Sequence, residues 1–264
     1  MTTLGAVFPL SLPPEALALT ARTADDTGLD ELWLWEDCFR EGAVASAAIA
    51  LTSTSRVRVG IGVMPTPLRN VALAAMEIAT IERAFPGRFL PGVGHGVQDW
   101  MGQVGNRADS PLTLLREYAT ALRALLAGER VTTQGRYVRL RDVALDWPPL
   151  VAPPVLSGAT GPRTVRLTGE VADGTILVAD STPDDVRTAR AVVDETRVAS
   201  GRADGHLLVV NLAATGDPHA DADAVHARAE AGADTVVLQP GAYDAPVDGA
   251  AFMAYAGTRV RPLV

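Results

Sequence analysis

Asp37, Cys38 and His95 stand where reacting groups would sit in a chain that alternates strands and helices. Asp37 and Cys38 directly follow the apolar run Glu31 to Trp35, and His95 follows Phe89 to Val93, held between Gly94 and Gly96. A carboxylate there can hold or move a proton; its plainer roles are a helix cap or a partner for Arg40. A cysteine takes part in such chemistry if its pKa is lowered, and otherwise lines a pocket as a small neutral thiol. Gly94 and Gly96 permit close backbone approach to a planar ligand, which leaves the His95 imidazole free to reach it; the plainer role is a hydrogen bond that anchors the loop. His206 opens a strand, and His219 and His226 lie on an Asp-rich helix. With no HExxH motif and no cysteine pair, no metal site is expected.

A second cluster is Ser157, Gly158, Ala159, Thr160, Gly161, Pro162 and Arg163, which follows a short strand and runs into a helix. Backbone N–H groups, a hydroxyl and a guanidinium then converge at a positive helix end, a natural phosphate cradle. Ordinary turn chemistry is the alternative. The loop is not a GxGxxG and does not read as a Rossmann motif.

The elements that must position these groups alternate along the chain. Strand-like runs fall at Leu4 to Phe8, Glu31 to Trp35, Val57 to Val63, Phe89 to Val93, Pro154 to Ser157, Thr175 to Val178, His206 to Leu212 and Asp234 to Leu238. Helical patterns separate them: Pro14 to Thr27, Ala43 to Thr52, Asn70 to Ala84, Pro111 to Ala127, Pro162 to Val171, Pro183 to Ser200 and Pro218 to Ala231, with Asp248 to Ala256 last. Proline opens five of these helices, where its fixed φ suits the first turn. Met64-Pro65-Thr66-Pro67 is expected to end the third strand, because proline lacks the ladder donor. The alternation predicts parallel strands with right-handed crossovers. The fold class is therefore α/β, a (β/α)8 TIM barrel in a single domain over residues 1–264, with an insertion between strands 4 and 5. That insertion holds a long loop, His95 to Ser110, a helix ending at Gly128, and a hairpin in which Val131, Thr133, Tyr137 and Arg139 flank Gln134-Gly135. It is expected to shape substrate access.

Gly62-Val63, the Arg69 loop, Pro86-Gly87-Arg88 and Gly92-Val93-Gly94-His95-Gly96 follow one another in an order that resembles the luciferase-like monooxygenase family of flavin and deazaflavin oxidoreductases. The resemblance continues through Glu31 to Asp37, Ser157 to Pro162 and Ala172-Asp173-Gly174, so it covers most of the chain. It implies hydride transfer between a deazaflavin coenzyme, coenzyme F-420, and a small organic substrate, with FMN and molecular oxygen as the alternative. Asp37, Cys38 and His95 would then surround the reactive edge of the ring, and Gly62-Val63, carrying a cis peptide in the family, would press on its back. The family commonly has histidine after the acidic residue, whereas this chain has Cys38; that departure leaves open a barrel that binds the cofactor without turnover. A homodimer packed through outer helices is also implied, with Ala72, Ala74, Ala75 and Ile78 offering small and apolar contacts unless they only cover the chain's own sheet.

Composition narrows the classes further. At 264 residues and 48% hydrophobic, the chain can bury a sizeable core. No apolar run reaches the ~20 residues of a membrane helix, and the N-terminus lacks the basic flank of a signal peptide, so a cytoplasmic location is expected. The single cysteine permits no internal disulfide. A net charge of -8 opposes nucleic-acid and anionic-membrane partners, which leaves a small-molecule substrate. All 23 basic residues are arginine, so lysine Schiff-base chemistry is unavailable. That Arg- and Ala-rich, lysine-free composition suits a high-GC genome, where the deazaflavin coenzyme is frequent.

Overall fold

A computed structural model of the chain describes residues 2–202, 205–241 and 247–264. The chain runs through β1 (Thr3–Val7), α1 (Leu17–Asp26), β2 (Glu31–Leu34), α2 (Ala43–Thr52), β3 (Arg58–Ile61), β4 (Met64–Pro65), α3 (Val71–Ala84), β5 (Phe89–Leu90) and β6 (Gly92–Gly94). It continues with α4 (Gln98–Gln103), α5 (Pro111–Leu126), β7 (Val131–Gln134), β8 (Arg139–Val143), β9 (Leu156–Ala159), α6 (Pro162–Val171), β10 (Gly174–Leu177), α7 (Pro183–Ala199), β11 (Leu207–Ala213), α8 (Pro218–Glu230), β12 (Thr235–Gln239) and α9 (Gly249–Tyr255). Ten strands make one curled parallel sheet in the order β4-β6-β9-β10-β11-β12-β1-β2-β3-β5.

Alternation along the strands divides the interior in two, because successive side chains leave opposite faces of a sheet. Val7, Trp33, Leu90, Leu156, Ile176, Val209 and Val237 meet inside the curl, one each from β1, β2, β5, β9, β10, β11 and β12. Their neighbours Leu32, Leu34, Leu208, Val210, Val236 and Leu238 point outward into the larger core shared with the helices. Trp33, 1% exposed, fills the middle of the inner core. Its indole Nε1 donates to Glu31 Oε2 at 2.8 Å, and Glu31 in turn pairs with Arg58. A Cβ on Gly60 would lie 2.6 Å from the Trp33 ring and one on Gly5 would lie 2.8 Å from it, so both glycines make room for the indole.

Two strands depart from expectation. The run Val57 to Val63 is broken at Gly62-Val63, a cis peptide, and Met64–Pro65 then pairs with β6 instead of ending the sheet. Pro65 is tolerated because β4 lies at the end of the hydrogen-bonded order, where its missing donor leaves no partner unmet. The run Phe89 to Val93 is broken at Pro91, which lacks the ladder donor but accepts from the Leu156 N–H at 2.9 Å. The fifth strand-like run is displaced to Leu156–Ala159, and the expected loop His95 to Ser110 contains the short helix α4.

Asn70 caps α3 by accepting from Ala72 N–H at 2.9 Å, an arrangement worth about 1 kcal/mol. Ala74, Ala75 and Ile78 are buried under that helix, and Ala72 is half-buried, so these residues cover the chain's own core; Leu73 and Met76 are the exposed apolar pair. Between β6 and β9, β7 and β8 form the antiparallel hairpin, with Tyr137 in its turn. Glu117 of α5 accepts from the backbone N–H groups of Arg136, Tyr137 and Val138 at 2.8–2.9 Å, which pins the turn and holds the Glu117 carboxyl below its usual value despite some desolvation.

Adding one methyl group at the sheet centre tests this packing. Gly60→Ala drives a Cβ into the Trp33 ring and should lower unfolding stability by about 1–3 kcal/mol. Gly161→Ala, with nothing within 4 Å of the new carbon, should change it by less than about 0.5 kcal/mol. Urea denaturation midpoints of the two variants check both figures, and equal midpoints would refute the account of Trp33.

Candidate active site

A cavity of about 470 Å³ opens at the carboxyl ends of the strands, lined among others by Glu36, Asp37, Gly62, Val63, Gly94, His95, Trp100, Thr160, Ile176 and Asn211. Its floor is made by Val63. A Cβ on Gly94 would come within 2.5 Å of Val63 Cγ2, and one on Gly158 within 3.2 Å of Val63 Cγ1. The Val63 side chain therefore packs directly against the glycine backbones of two neighbouring strands, leaving an apolar surface. Gly96, at φ 67°, turns the chain away in the left-handed region, where a Cβ would also press on Pro65 at 2.9 Å.

Asp37 and His95 line this one cavity together with Gly62, Val63, Gly94, Gly96, Gly158, Ala159 and Thr160. Cys38 lies outside the lining, half-buried, its thiol raised above the ordinary value by burial first and then by the Glu36 and Asp37 charges. That direction is opposite to the activation a nucleophilic thiolate needs.

The His95 ring is held by Nε2 at 3.4 Å from Thr164 Oγ1 in the first turn of α6, and its buried Nδ1 has no hydrogen-bond partner among the described residues. Burial lowers the His95 pKa, with the Pro111 backbone pulling weakly the other way, so the ring is neutral near pH 7. A neutral imidazole that lines a cavity can accept or relay a proton there, with the buried Nδ1 directed away from it toward the Pro111 backbone side.

Phosphate-cradle residues divide in the structure. Ser157 is fully buried inside β9, while Gly161 is the N-cap of α6 without a side-chain cap, so the first-turn donors face the Thr160-Gly161 turn. Ala159, Thr160, Gly161 and Pro162 line a second cavity of about 330 Å³, which shares Ala159, Thr160, Leu177 and Val178 with the first and extends it along the helix end. Arg163 points elsewhere, into an outer cavity with Arg116 and Arg166.

Two site residues were not singled out from the sequence. Glu36 occupies the strand end beside Asp37 and is 9% exposed; both its oxygens accept from Arg69, at 2.5 and 2.7 Å, and Arg69 reaches Glu77 at 3.2 Å. Asn211 donates its Nδ2 to the Leu177 carbonyl at 3.0 Å; a lone amide in the apolar run Leu-Leu-Val-Val-Asn-Leu-Ala was the signal for it. Trp33 and Trp35 both turn inward, Trp33 as core, and Trp100 alone of the tryptophans lines the cavity. His206 lies far from this site in a buried chain with Thr175 and Arg197, where burial and then the nearby arginines push it down to about 3.

Residues 6–261 match the family described as luciferase-like monooxygenase. The chain belongs to that family. It is similar to the 5,10-methylenetetrahydromethanopterin reductase of Methanolobus tindarius, 28% identical over 87% of this chain and 69% of that one. It is also similar to the F-420-dependent glucose-6-phosphate dehydrogenase of Kineococcus radiotolerans, 30% identical over 78% of this chain and 66% of the relative. The chain thus matches about two thirds of the length of each. A solved F-420-dependent secondary alcohol dehydrogenase, in complex with an F-420-acetone adduct, has the same fold, with a TM-score of 0.86, 18% identity and coverage of 100% and 98%. Among the described residues no group of histidine, cysteine and acidic side chains could hold a metal ion, and no helix is long and apolar enough to cross a membrane.

Both His95 and His206 have folded pKa values below the ordinary value of 6.5, so the unfolded luciferase-like chain binds more protons. Their contribution is present above that value and is lost as pH falls, at up to about 1.4 kcal/mol per pH unit for each ring that must charge. Denaturant unfolding at steps from about pH 7 to 5 should show this fall, and NMR titration should place both ring midpoints below 6.5, with His206 the lower. Midpoints at or above that value would contradict the burial described here.

Proposed function

We propose that this luciferase-like protein is an oxidoreductase that moves hydride between coenzyme F-420 and a small organic substrate, with Asp37 and His95 at the reacting edge. The observation that carries the reading is the cavity itself: an apolar wall where Val63 meets Gly94 and Gly158, lined also by the half-buried His95 imidazole and Asp37. A planar ring fits such a wall, and the backbone donors at the α6 N-terminus suit a phosphate-bearing tail at the Thr160-Gly161 end of the second cavity, away from the Asp180 and Asp185 carboxylates that also line it. The F-420 dependence of the Kineococcus relative supports this cofactor over FMN. When bound, the deazaflavin supplies or accepts the hydride. Neutral His95 takes the proton from a substrate hydroxyl as hydride leaves its carbon, or returns it in the reverse direction, and Asp37 stabilises the imidazolium formed. Cys38 lies outside the cavity lining and serves neither step.

The ten strands read as the eight staves of a (β/α)8 barrel, since β3 with β4 and β5 with β6 each form one broken stave, and the segment between β6 and β9 is the insertion. The exposed apolar residues Ile49 on α2 and Leu73 and Met76 on α3 offer a face for a homodimer, in place of the buried alanines of α3.

Optical titration with coenzyme F-420 and with FMN tests the assignment. Coenzyme F-420 should bind, and Gly158→Val, which replaces the flat wall by a branched side chain against Val63, should weaken it at least tenfold, about 1.4 kcal/mol. Asp37→Asn and His95→Ala should keep affinity within about threefold yet cut reduction of the coenzyme by small alcohols about 100-fold, with Cys38→Ser near wild type. Preferential FMN binding, or wild-type turnover in the His95 variant, would defeat the proposal. Separately, light scattering at micromolar protein should report a dimer, and Met76→Glu should shift it toward monomer; a wild-type monomer would remove the dimer face.

A further inference from the structure

Beside the candidate active site lies a second polar cavity of about 380 Å³, at the same strand ends, between the Thr66 to Val71 segment, α5 and the hairpin. Three arginines line it, Arg69, Arg107 and Arg139, and no aspartate or glutamate does. In a chain of net charge -8 with 31 acidic residues, that lining is not what random surface would supply. The nearby carboxylates are already engaged: Glu36 and Glu77 with Arg69, Asp109 with Arg136, and Asp142 with Arg130. Arg139 spends only its Nε, on the Gly135 carbonyl at 3.4 Å, and among the described residues Arg107 makes no ion pair or hydrogen bond. The wall carries an independent sign. Thr66 is 3% exposed, and its buried Oγ1 has no hydrogen-bond partner among the described residues. A hydroxyl in that state lacks both water and protein, and because Thr66 lines the cavity, a rotation of its side chain toward it would give the hydroxyl an acceptor oxygen there.

The Glu36–Arg69 ion pair forms the partition between the two cavities, Glu36 lining one and Arg69 the other. A molecule reaching over that partition would present one end to His95 and the other to the arginines. The geometry points to a substrate-anchoring site for an anionic group, a phosphate or a carboxylate, carried by the same molecule whose carbon is oxidised or reduced beside His95. This rests on the oxidoreductase reading for the reacting end, while the anion site itself stands on its own residues. Arg107 and Arg139 form the clamp, Thr66 donates from the wall, and Arg69, already neutralised by two carboxylates, aligns the partition more than it attracts charge.

Calorimetric titration of the purified protein with inorganic phosphate, and separately with succinate, tests the site and shows which anion it takes. Saturable binding of at least one is expected, weakened at least tenfold by Arg107→Gln with Arg139→Gln, weakened about threefold by Thr66→Val, and unchanged by Arg163→Gln. Both clamp residues are exposed, so the double variant should keep the fold; coenzyme F-420 titrated into it should bind with wild-type affinity. No saturable binding of either anion, or binding that survives the double variant, overturns the proposal. Anion binding that behaves as expected in a protein that fails to take coenzyme F-420 would sink the cofactor assignment and leave this site standing. Normal cofactor binding with no anion effect would do the reverse.

Discussion

A tryptophan inside a curled sheet is a demanding tenant, and much of this molecule follows from housing Trp33. Its ring occupies space that neighbouring strands would otherwise fill, which is why Gly5 and Gly60 stand opposite it and why a single methyl group on either would collide with the indole. Its N–H, taken from water, must find an acceptor, and Glu31 supplies one. That carboxylate is itself buried, with burial raising its pKa and Arg58 opposing the rise, so the guanidinium belongs to the same unit. One large side chain thus fixes two glycines, an acid and a base across three strands.

The upper end of the same interior is organised by the opposite device, a scarcity of side chains. Val63 projects where Gly94 and Gly158 have none, so three strands approach closely and present a wall instead of a packed core. Trp33 fills the middle of the curl and the glycines open its mouth. The filled part gives rigidity, and the open part inherits it, because strand ends anchored to a close-packed interior cannot drift. The Glu36–Arg69 pair then ties the loop after β2 to the loop after β4, holding Asp37 at the cavity edge by a two-point contact.

Much of this was legible in the sequence for physical reasons that can be named. Period-two apolar runs and proline-opened helices gave the order of elements, and the positions of Asp37 and His95 after strands gave their place in one cavity. Sequence could not show where the third and fourth strands break, because the pairing of Met64–Pro65 with β6 depends on which strand lies alongside. The expected phosphate cradle is divided by the fold: Ser157, next to inward-facing Leu156, is turned by strand alternation to the buried helix side of the sheet, and Arg163 lines an outer cavity. Cys38 was ambiguous because a thiol's reactivity is set by its surroundings, and here burial first, then the neighbouring Glu36 and Asp37 carboxylates, push it toward the neutral form. Arg69 was legible only as part of a loop in the family's order of motifs, since its pairing partner, Glu36, lies 33 positions away.

The hairpin of β7 and β8 is fastened at its tip, where three consecutive backbone N–H groups converge on Glu117 and Gly135 leaves no side chain to obstruct that carboxylate. An attachment made through main-chain atoms is indifferent to the identity of the residues that carry them. All four residues from Tyr137 to Leu140 border the arginine-lined cavity, but Val138 and Leu140 are buried in the core and the Tyr137 hydroxyl accepts from Ser110 N–H at 2.8 Å, so it is the exposed Arg139 side chain that can vary without unseating the loop. Lineages descended from this chain can reset the charge of that border at Arg139 while the frame beneath it stays in register.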